Sequence, residues 1–228
     1  MNKISIIIPA YNYANYIGEA IKACLNQVSP PHEIIVVNDG SPDDTDKAVQ
    51  PYLDKIIYIK QGNRGLPAAR NTGIMNATGD FILLLDADDL ISAFYLESIE
   101  RTLESEPDAD VVYCDLQHIG DRNDRVHLVA PLTKETFRAF NPLSYCSAIR
   151  RNALLECGGY NVKMVHGWED YELWIELFLR GKKFVRIPEA HFYYRKHGNS
   201  MIDTSFKPEA VDYSEKLLHK LHPDLYVD

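Results

Sequence analysis

Long apolar runs are missing from this sequence. None approaches the roughly 18 residues that a membrane-spanning helix needs. A basic excess is missing too: 24 Lys and Arg face 33 Asp and Glu, a net charge of −9 with His neutral. Duplex nucleic acid is held by a concentrated Lys/Arg surface, so nucleic acid is excluded as the expected partner. A few local arginines can still hold a small anion. Cysteine is scarce, with Cys24, Cys114, Cys146 and Cys157 in apolar surroundings and no CxxC pair. They read as reduced core residues of a cytoplasmic protein. The opening Met1-Asn2-Lys3-Ile4-Ser5 lacks a signal peptide's length and cleavage site. Neither GxGxxG nor a GxxxxGKS/T loop occurs, which leaves a Rossmann dinucleotide site and a P-loop unsupported.

What is present is the apolar content of a globular chain, 46% hydrophobic and 25% charged over 228 residues, enough for one domain with a sizeable core. The first half alternates strands with helical patterns. Ile4 to Ile8 is a continuous β-branched run stopped by Pro9, suited to a strand buried on both faces. Ile17, Ala20, Ile21, Cys24 and Leu25 share one helical face, with Asn15 as the expected cap. Ile34 to Val37, Ile56 to Ile59 and Phe81 to Leu85 are further strands, with helices expected at 43–50 and 66–77. This alternation predicts an α/β fold with a mostly parallel central sheet flanked by helices. The second half is less regular. Helices are expected at 94–103, at 151–157 and around Leu173 and Trp174, the last closed by Gly181. Strands are expected at 110–114, 146–149 and 184–187, and residues 116–145 read as loop with one short helix. The organisation expected is one domain over 1–205, with a regular half of 1–90 and a less regular half of 91–205. A helical tail at 206–228 would pack on the domain or on a partner.

Ligands of open α/β sheets bind outside the carboxyl ends of the strands. Polar residues gather at those ends here: Pro9-Ala10-Tyr11-Asn12, Asn38-Asp39-Gly40-Ser41 and Asp86-Ala87-Asp88-Asp89. Turn-forming and helix capping explain any one cluster; three together, with Arg64 and Arg70 between them, point to a site. Asp86 and Asp88, one residue apart, can present oxygens to a hard divalent cation that in turn takes phosphate oxygens. Arg64 and Arg70 frame a loop-to-helix step that favours anions. Glu169-Asp170 opens a helix, where capping competes with a general-base role. His197 is a candidate ligand or anion contact.

Ser-Ile-Ile-Ile-Pro-Ala-Tyr-Asn at 5–12, Val-Val-Asn-Asp-Gly-Ser at 36–41, Asn63-Arg64-Gly65, Ala69-Arg70-Asn71 and Leu-Leu-Asp-Ala-Asp-Asp at 84–89 resemble the family 2 glycosyltransferases of the GT-A fold. So do Gly158-Gly159-Tyr160, Glu169-Asp170-Tyr171-Glu172-Leu173-Trp174 and Tyr194-Arg195-Lys196-His197. The resemblance runs in order from residue 4 to about 200. It implies inverting transfer of a sugar from a nucleotide diphosphate donor, with Mn²⁺ or Mg²⁺ as cofactor. The acceptor is a hydroxyl on a glycan, lipid-linked or protein substrate. Carried onto this chain, Pro9, Ala10, Tyr11, Asn12 and Asp39 belong to the nucleoside side, and Arg64 and Arg70 border the nucleotide and its phosphates. Asp86 and Ala87 face the ribose or sugar, Asp88 binds the metal, and His197 assists there. Asp170 is the base, with Trp168 and Glu169 on the acceptor side. Asn161 stands where family members often carry an acid, so the acceptor loop is expected to differ. Little chain follows the core, which adds the expectation of a partner protein or of peripheral contact with the inner face of the membrane through the terminal helix.

Three other classes compete. A haloacid-dehalogenase-type phosphatase resembles DxDx with Thr or Val after the first strand, whereas Asp86 follows the fourth and Leu90 takes the last position. A receiver domain wants an acidic pair after strand one, where this chain has Ala10-Tyr11-Asn12. A catalytically silent binding module does not require the Asp88 and Asp170 found here.

Overall fold

The computed structural model describes residues 2–197 and 207–226. Ile4–Ala10 forms β1, buried at all seven positions, with the one polar side chain, Ser5, donating its hydroxyl to Glu33 Oε1 at 2.6 Å. Ile17–Leu25 forms α1, and Ile17, Ala20, Ile21 and Cys24 are its buried face. Its N-cap is Tyr16 without a side-chain cap bond, because the preceding turn already supplies the carbonyl of Tyr13 to the amides of Tyr16 and Ile17. Asn15 therefore does not cap. Glu33–Asn38 is β2, Thr45–Val49 is α2, Ile57–Lys60 is β3, Leu66–Asn76 is α3 and Phe81–Leu84 is β4. Pro51 ends α2 early and the chain passes into a single 3₁₀ turn at Gln50–Tyr52.

β1 pairs in parallel with β2 on one side and β4 on the other, and β2 pairs with β3. The chain winds outward through β1, β2 and β3, then returns to place β4 against β1. That reversal is a topological switch point, and it opens a crevice at the carboxyl ends of β1 and β4.

Beyond β4 come Leu90–Ile91 (β5), Tyr95–Ser105 (α4), Val111–Gly120 (β6), Arg125–Val126 (β7), Lys134–Ala139 (α5), Ala148–Arg150 (β8) and Arg151–Glu156 (α6). Glu169–Leu179 (α7), Phe184–Lys196 (β9) and Pro208–Leu221 (α8) complete the order. The sheet runs β3-β2-β1-β4-β8-β6-β9-β5, with β7 on β6. Its second half is mixed: β8 is antiparallel to both β4 and β6, while β6 and β9 run parallel.

β6 and β9 are much longer than the expected 110–114 and 184–187. Both carry residues that read as strand breakers. Asp115 lies in the middle of β6 and is fully buried. It takes hydrogen bonds from Arg186 Nη2 at 2.7 Å and the Leu128 amide at 3.0 Å, and pairs with His127 Nδ1 at 2.6 Å. Pro188 falls at a bulge, where the register jumps from Cys114↔Ile187 to Asp115↔Ala190. Local pattern stops at these residues, but the paired ladder passes them.

α7 ends as Gly181 predicts, with Gly181 N donating to Phe178 O and Lys182 N to Leu177 O, a Schellman closure at φ 69°. The terminal helix α8 packs on the domain. Its buried stripe is Ala210, Ser214 and Leu218, whereas Leu221 is exposed. His222 meets Glu172 at 2.8 Å and Arg138 Nε donates to Leu225 O at 2.5 Å. The expected boundary at 205/206 lies outside the described residues. All four cysteines are free, and no helix among the described residues is long and apolar enough to cross a membrane.

α3 lies so close to β1 that a Cβ on Gly73 would stand 2.3 Å from Ile7 Cγ2. Gly73→Ala improves helix propensity by about 1 kcal/mol but overpacks this contact, typically at a cost of about 1–3 kcal/mol. The expected result is a net loss of stability in urea unfolding; a midpoint at or above wild type contradicts the close approach.

Candidate active site

The crevice at the switch point is a cleft of about 1450 Å³. It brings together every candidate residue from the sequence: Pro9 to Asn12, Asp39, Arg64, Arg70, Asp86 to Asp88, Trp168 to Asp170, and His197. They come from the ends of β1, β2 and β4, the start of α3, the start of α7 and the end of β9.

On the β1–β2 side the backbone is set by short polar links. Asn12 adopts φ 64°, its amide donates to Ser41 Oγ at 3.2 Å, and Ser41 Oγ donates to Ala10 O at 3.3 Å. Tyr11 and Asn12 are exposed at the mouth, while Pro9 and Ala10 lie beneath. Asp39 is buried and pins the loop that carries Arg64: it accepts from Gln61 Nε2 at 2.7 Å, Arg64 N at 3.0 Å and Gly65 N at 2.8 Å. An ionised carboxylate has about four acceptor positions, so these three donors leave room for one more. Gly40, at φ 72°, allows the close approach, since a Cβ there would sit 2.8 Å from Asn63 N.

The three acids after β4 have three different fates. Asp86 takes the fork of Arg70, with Nη2 at 2.9 and 3.2 Å from its two oxygens. Asp88 meets His197 Nε2 at 3.0 Å. Asp89 is buried, accepting from Tyr145 OH and from Arg195 N at 2.6 Å. Burial pushes the Asp89 carboxyl well above the usual aspartate range. The sequence groups these acids as one cluster; the fold separates them by giving each its own donor. Tyr145, which also accepts from Asp86 N at 3.1 Å, belongs to no motif and no sequence pattern marks it.

Asp88 and His197 offer a carboxylate and an imidazole side by side at the cleft wall. Oxygen and imidazole donors of this kind suit a divalent cation, and these two residues are the ones that would hold it. Among the described residues no group of three or more His, Cys, Asp or Glu is placed to hold a metal by itself. His197 is set by its neighbours: its ring stacks on Tyr16 at 5.4 Å and meets Tyr13 edge-on at 6.2 Å.

Arg70 is corrected. Expected beside the phosphates, it is 1% exposed and spends its fork on Asp86 and on Glu169, whose Oε1 lies 2.7 Å from Nη1. Residues that lacked a role in the sequence reading hold it: Asn71 donates to Tyr160 O at 2.7 Å and accepts from Tyr160 N at 2.8 Å, fixing the Tyr160 ring 5.2 Å from the Arg70 guanidinium.

α7 begins from a left-handed residue, Trp168 at φ 67°, which follows Gly167 at φ 88°. A non-glycine residue in this region costs about 1–3 kcal/mol and is concentrated at functional sites. The consequence is that Glu169 and Asp170 part company. Glu169 turns inward to Arg70. Asp170 is half-buried in the cleft wall, accepting from Asn141 Nδ2 at 3.2 Å and Tyr171 N at 2.7 Å. Burial raises both carboxyls above their ordinary values, and the positive charge of Arg70 opposes the rise in each.

Comparison with known proteins agrees with this geometry. Residues 5–159 match Glycosyl transferase family 2. An uncharacterized glycosyltransferase of Rickettsia typhi is 34% identical over 199 residues, covering 83% of this chain and 60% of that protein. The putative glycosyltransferase EpsH of Bacillus subtilis is 37% identical over 222 residues, covering 87% of this chain and 62% of that protein. The chain thus spans about three fifths of the length of these curated relatives. Among solved structures, Staphylococcus aureus TarS 1-349 with UDP-GlcNAc superposes with a TM-score of 0.79 at 20% identity, covering 95% of this chain and 65% of that one. A mannosyltransferase of Pyrobaculum calidifontis with GDP-Man and Mn²⁺ gives 0.69 at 20% identity, covering 88% and 59%. At that identity both show the fold.

Tyr145→Phe keeps the ring but removes the hydroxyl shared by Asp89 and Asp86 N. Leaving buried polar partners unmatched costs about 1–3 kcal/mol. Urea unfolding should show a loss in that range, and an unchanged midpoint would count against the role given to this hydroxyl.

Proposed function

This chain belongs to glycosyl transferase family 2, and on that footing we propose that it moves a sugar, with inversion, from a nucleoside diphosphate donor to an acceptor hydroxyl. The observation that carries the reading is the division of labour in one cleft. A paired carboxylate and imidazole, Asp88 and His197, stand at one part of the wall, and a carboxylate with raised proton affinity, Asp170, at another.

An acceptor hydroxyl is a poor nucleophile near neutrality. Asp170 takes its proton as the acceptor oxygen bonds to the anomeric carbon. The bond from that carbon to the diphosphate oxygen breaks in the same step, and the nucleoside diphosphate leaves with the electron pair. One displacement inverts the centre and needs one base, unlike the paired carboxylates of a hydrolase. Asp88 and His197 would hold a divalent cation, Mn²⁺ or Mg²⁺, which would supply positive charge to the departing diphosphate. Asp39 keeps one acceptor position for a ring N–H of the base, which favours uracil or guanine over cytosine. A UDP-hexose or UDP-N-acetylhexosamine donor is the working assignment, with guanine donors as the second. Arg64, carried on the loop pinned by Asp39, is the arginine that borders the nucleotide. Trp168, Phe140 and the α8 residues Leu218 and His219 line the acceptor side of the same cleft. The terminal helix therefore stands in the site as part of its wall.

UDP with Mn²⁺ should raise the melting temperature more than CDP with Mn²⁺, as any ligand of the folded state does. Asp88→Asn should shrink the metal-dependent part of that shift and reduce transfer together with it. Equal shifts for UDP and CDP would remove the Asp39 assignment, and full transfer in the presence of chelator would remove the metal.

Asp170→Asn should leave the UDP shift nearly intact and cut transfer by about 10²–10⁴-fold, the usual contribution of a general base. Because the Asp170 carboxyl lies above its ordinary value and must be ionised to act, the wild-type rate should fall as pH drops through a midpoint above the normal aspartate range. The measurement is sugar transferred to acceptor, since water can also consume the donor. Near wild-type transfer by Asp170→Asn places the base elsewhere, with Glu169 next.

A further inference from the structure

Three carboxylates, Asp86, Glu169 and Asp170, crowd the start of α7, and the guanidinium of Arg70 is set among them. Its side chain is 1% exposed. The rings of Tyr145 and Tyr160 stand 5.1 and 5.2 Å from Cζ. Nη1 and Nη2 are committed to residues 99 and 16 positions away in the chain, so the fork joins three separate segments: α3, the turn after β4, and the start of α7. A guanidinium so enclosed is not placed for a ligand phosphate. Its geometry is that of a strut inside the catalytic wall.

We propose that Arg70 is a positioning residue for transfer: its fork ties the sugar-side carboxylate Asp86 to the first turn of α7 and supplies the positive charge against which Asp170 holds its ionised form. The proposal rests on the reading of Asp170 as base. Burial is the main influence raising the Asp170 carboxyl, and Arg70 is the largest one opposing it. The charged or titratable groups turned toward Asp170 are Glu169 on its own helix, Arg70 on α3, Asp86 after β4 and Tyr160 in the loop before α7. Across the cleft stand Arg138 from α5 and Glu215 and His219 from α8, with Tyr226 beyond it. Arg70 is bonded to Asp86 and Glu169, and Arg138 Nε donates to the carbonyl of Leu225. Removing one partner of a buried charge set leaves the others uncompensated.

The test follows carboxyl groups directly and needs no donor. Protein labelled with ¹³C at Asp and Glu carboxyls is titrated by NMR, and the resonance missing from Asp170→Asn is Asp170. Glu169 and Asp170 are read as a pair, because interacting sites share their midpoints. Arg70→Met should raise the pair's midpoints by about 1 pH unit or more, the effect of losing an adjacent opposite charge. Arg70→Lys should keep them close to wild type while lowering kcat more than it changes KM, measured with UDP-glucose or UDP-N-acetylglucosamine, because the charge remains and the fork is lost. A purely structural arginine would lower stability and leave the midpoints in place. Unmoved midpoints in folded Arg70→Met, or wild-type kcat in Arg70→Lys, overturn the proposal. Where Arg70→Met does not fold, Arg70→Gln replaces it, and where neither folds the lysine variant decides alone. Transfer by Asp170→Asn is measured separately: if it is unimpaired the base reading fails, while the midpoints still report whether Arg70 sets the charge state of this wall.

Discussion

Charge compensation around one buried guanidinium governs the architecture of this site. Asp86, Glu169 and Asp170 must share a small, poorly hydrated volume for the turn after β4 and the start of α7 to meet. Uncompensated, such charges are costly to bury. Arg70 meets two of them at 2.9 and 2.7 Å, and the tyrosine rings on either side exclude water from the pair. The remaining carboxylates are quieted separately, Asp88 by His197 and Asp89 by Tyr145 and the Arg195 amide. An acid-rich sequence thereby becomes a cleft in which each carboxylate has a defined partner.

The sheet makes this arrangement possible. The switch point between β1 and β4 opens the crevice, and the same half of the chain lines one side of it from loops that follow parallel strands. The other side arrives differently. β9 runs the full length of β6 and delivers Arg195 and His197 to the turn after β4. α7 enters through the left-handed Trp168, which rotates its first two acids into different surroundings. Two distant segments, both beyond the matched residues 5–159, thus complete a site that the first ninety residues only begin.

The terminal helix adds a further wall. Its buried stripe faces the domain, His222 and Leu225 anchor its end, and Glu215, Leu218 and His219 line the cleft. An element that reads in sequence as an appendage is thereby continuous with the site.

The sequence by itself determined the parallel first half, because buried strands and amphipathic helices write their periods locally, and it marked the strand-end acids, the Glu169-Asp170 pair and His197. All but the buried Asp89 reach one cleft. It also carried the Gly181 closure of α7, a matter of local backbone conformation. Only the tertiary structure decided the rest. Asp115 and Pro188 hide the length of β6 and β9, since their tolerance depends on partners far along the chain. Arg70 looks in sequence like an exposed anion contact; what it pairs with depends on a helix that starts 99 residues later. Tyr145 carries no pattern at all, and Asn71 stands in a motif that does not say what it bonds, because their hydrogen bonds join segments that only the closed sheet brings together. Local periodicity reports which face of an element is buried; which charge neutralises which is a property of the assembled fold.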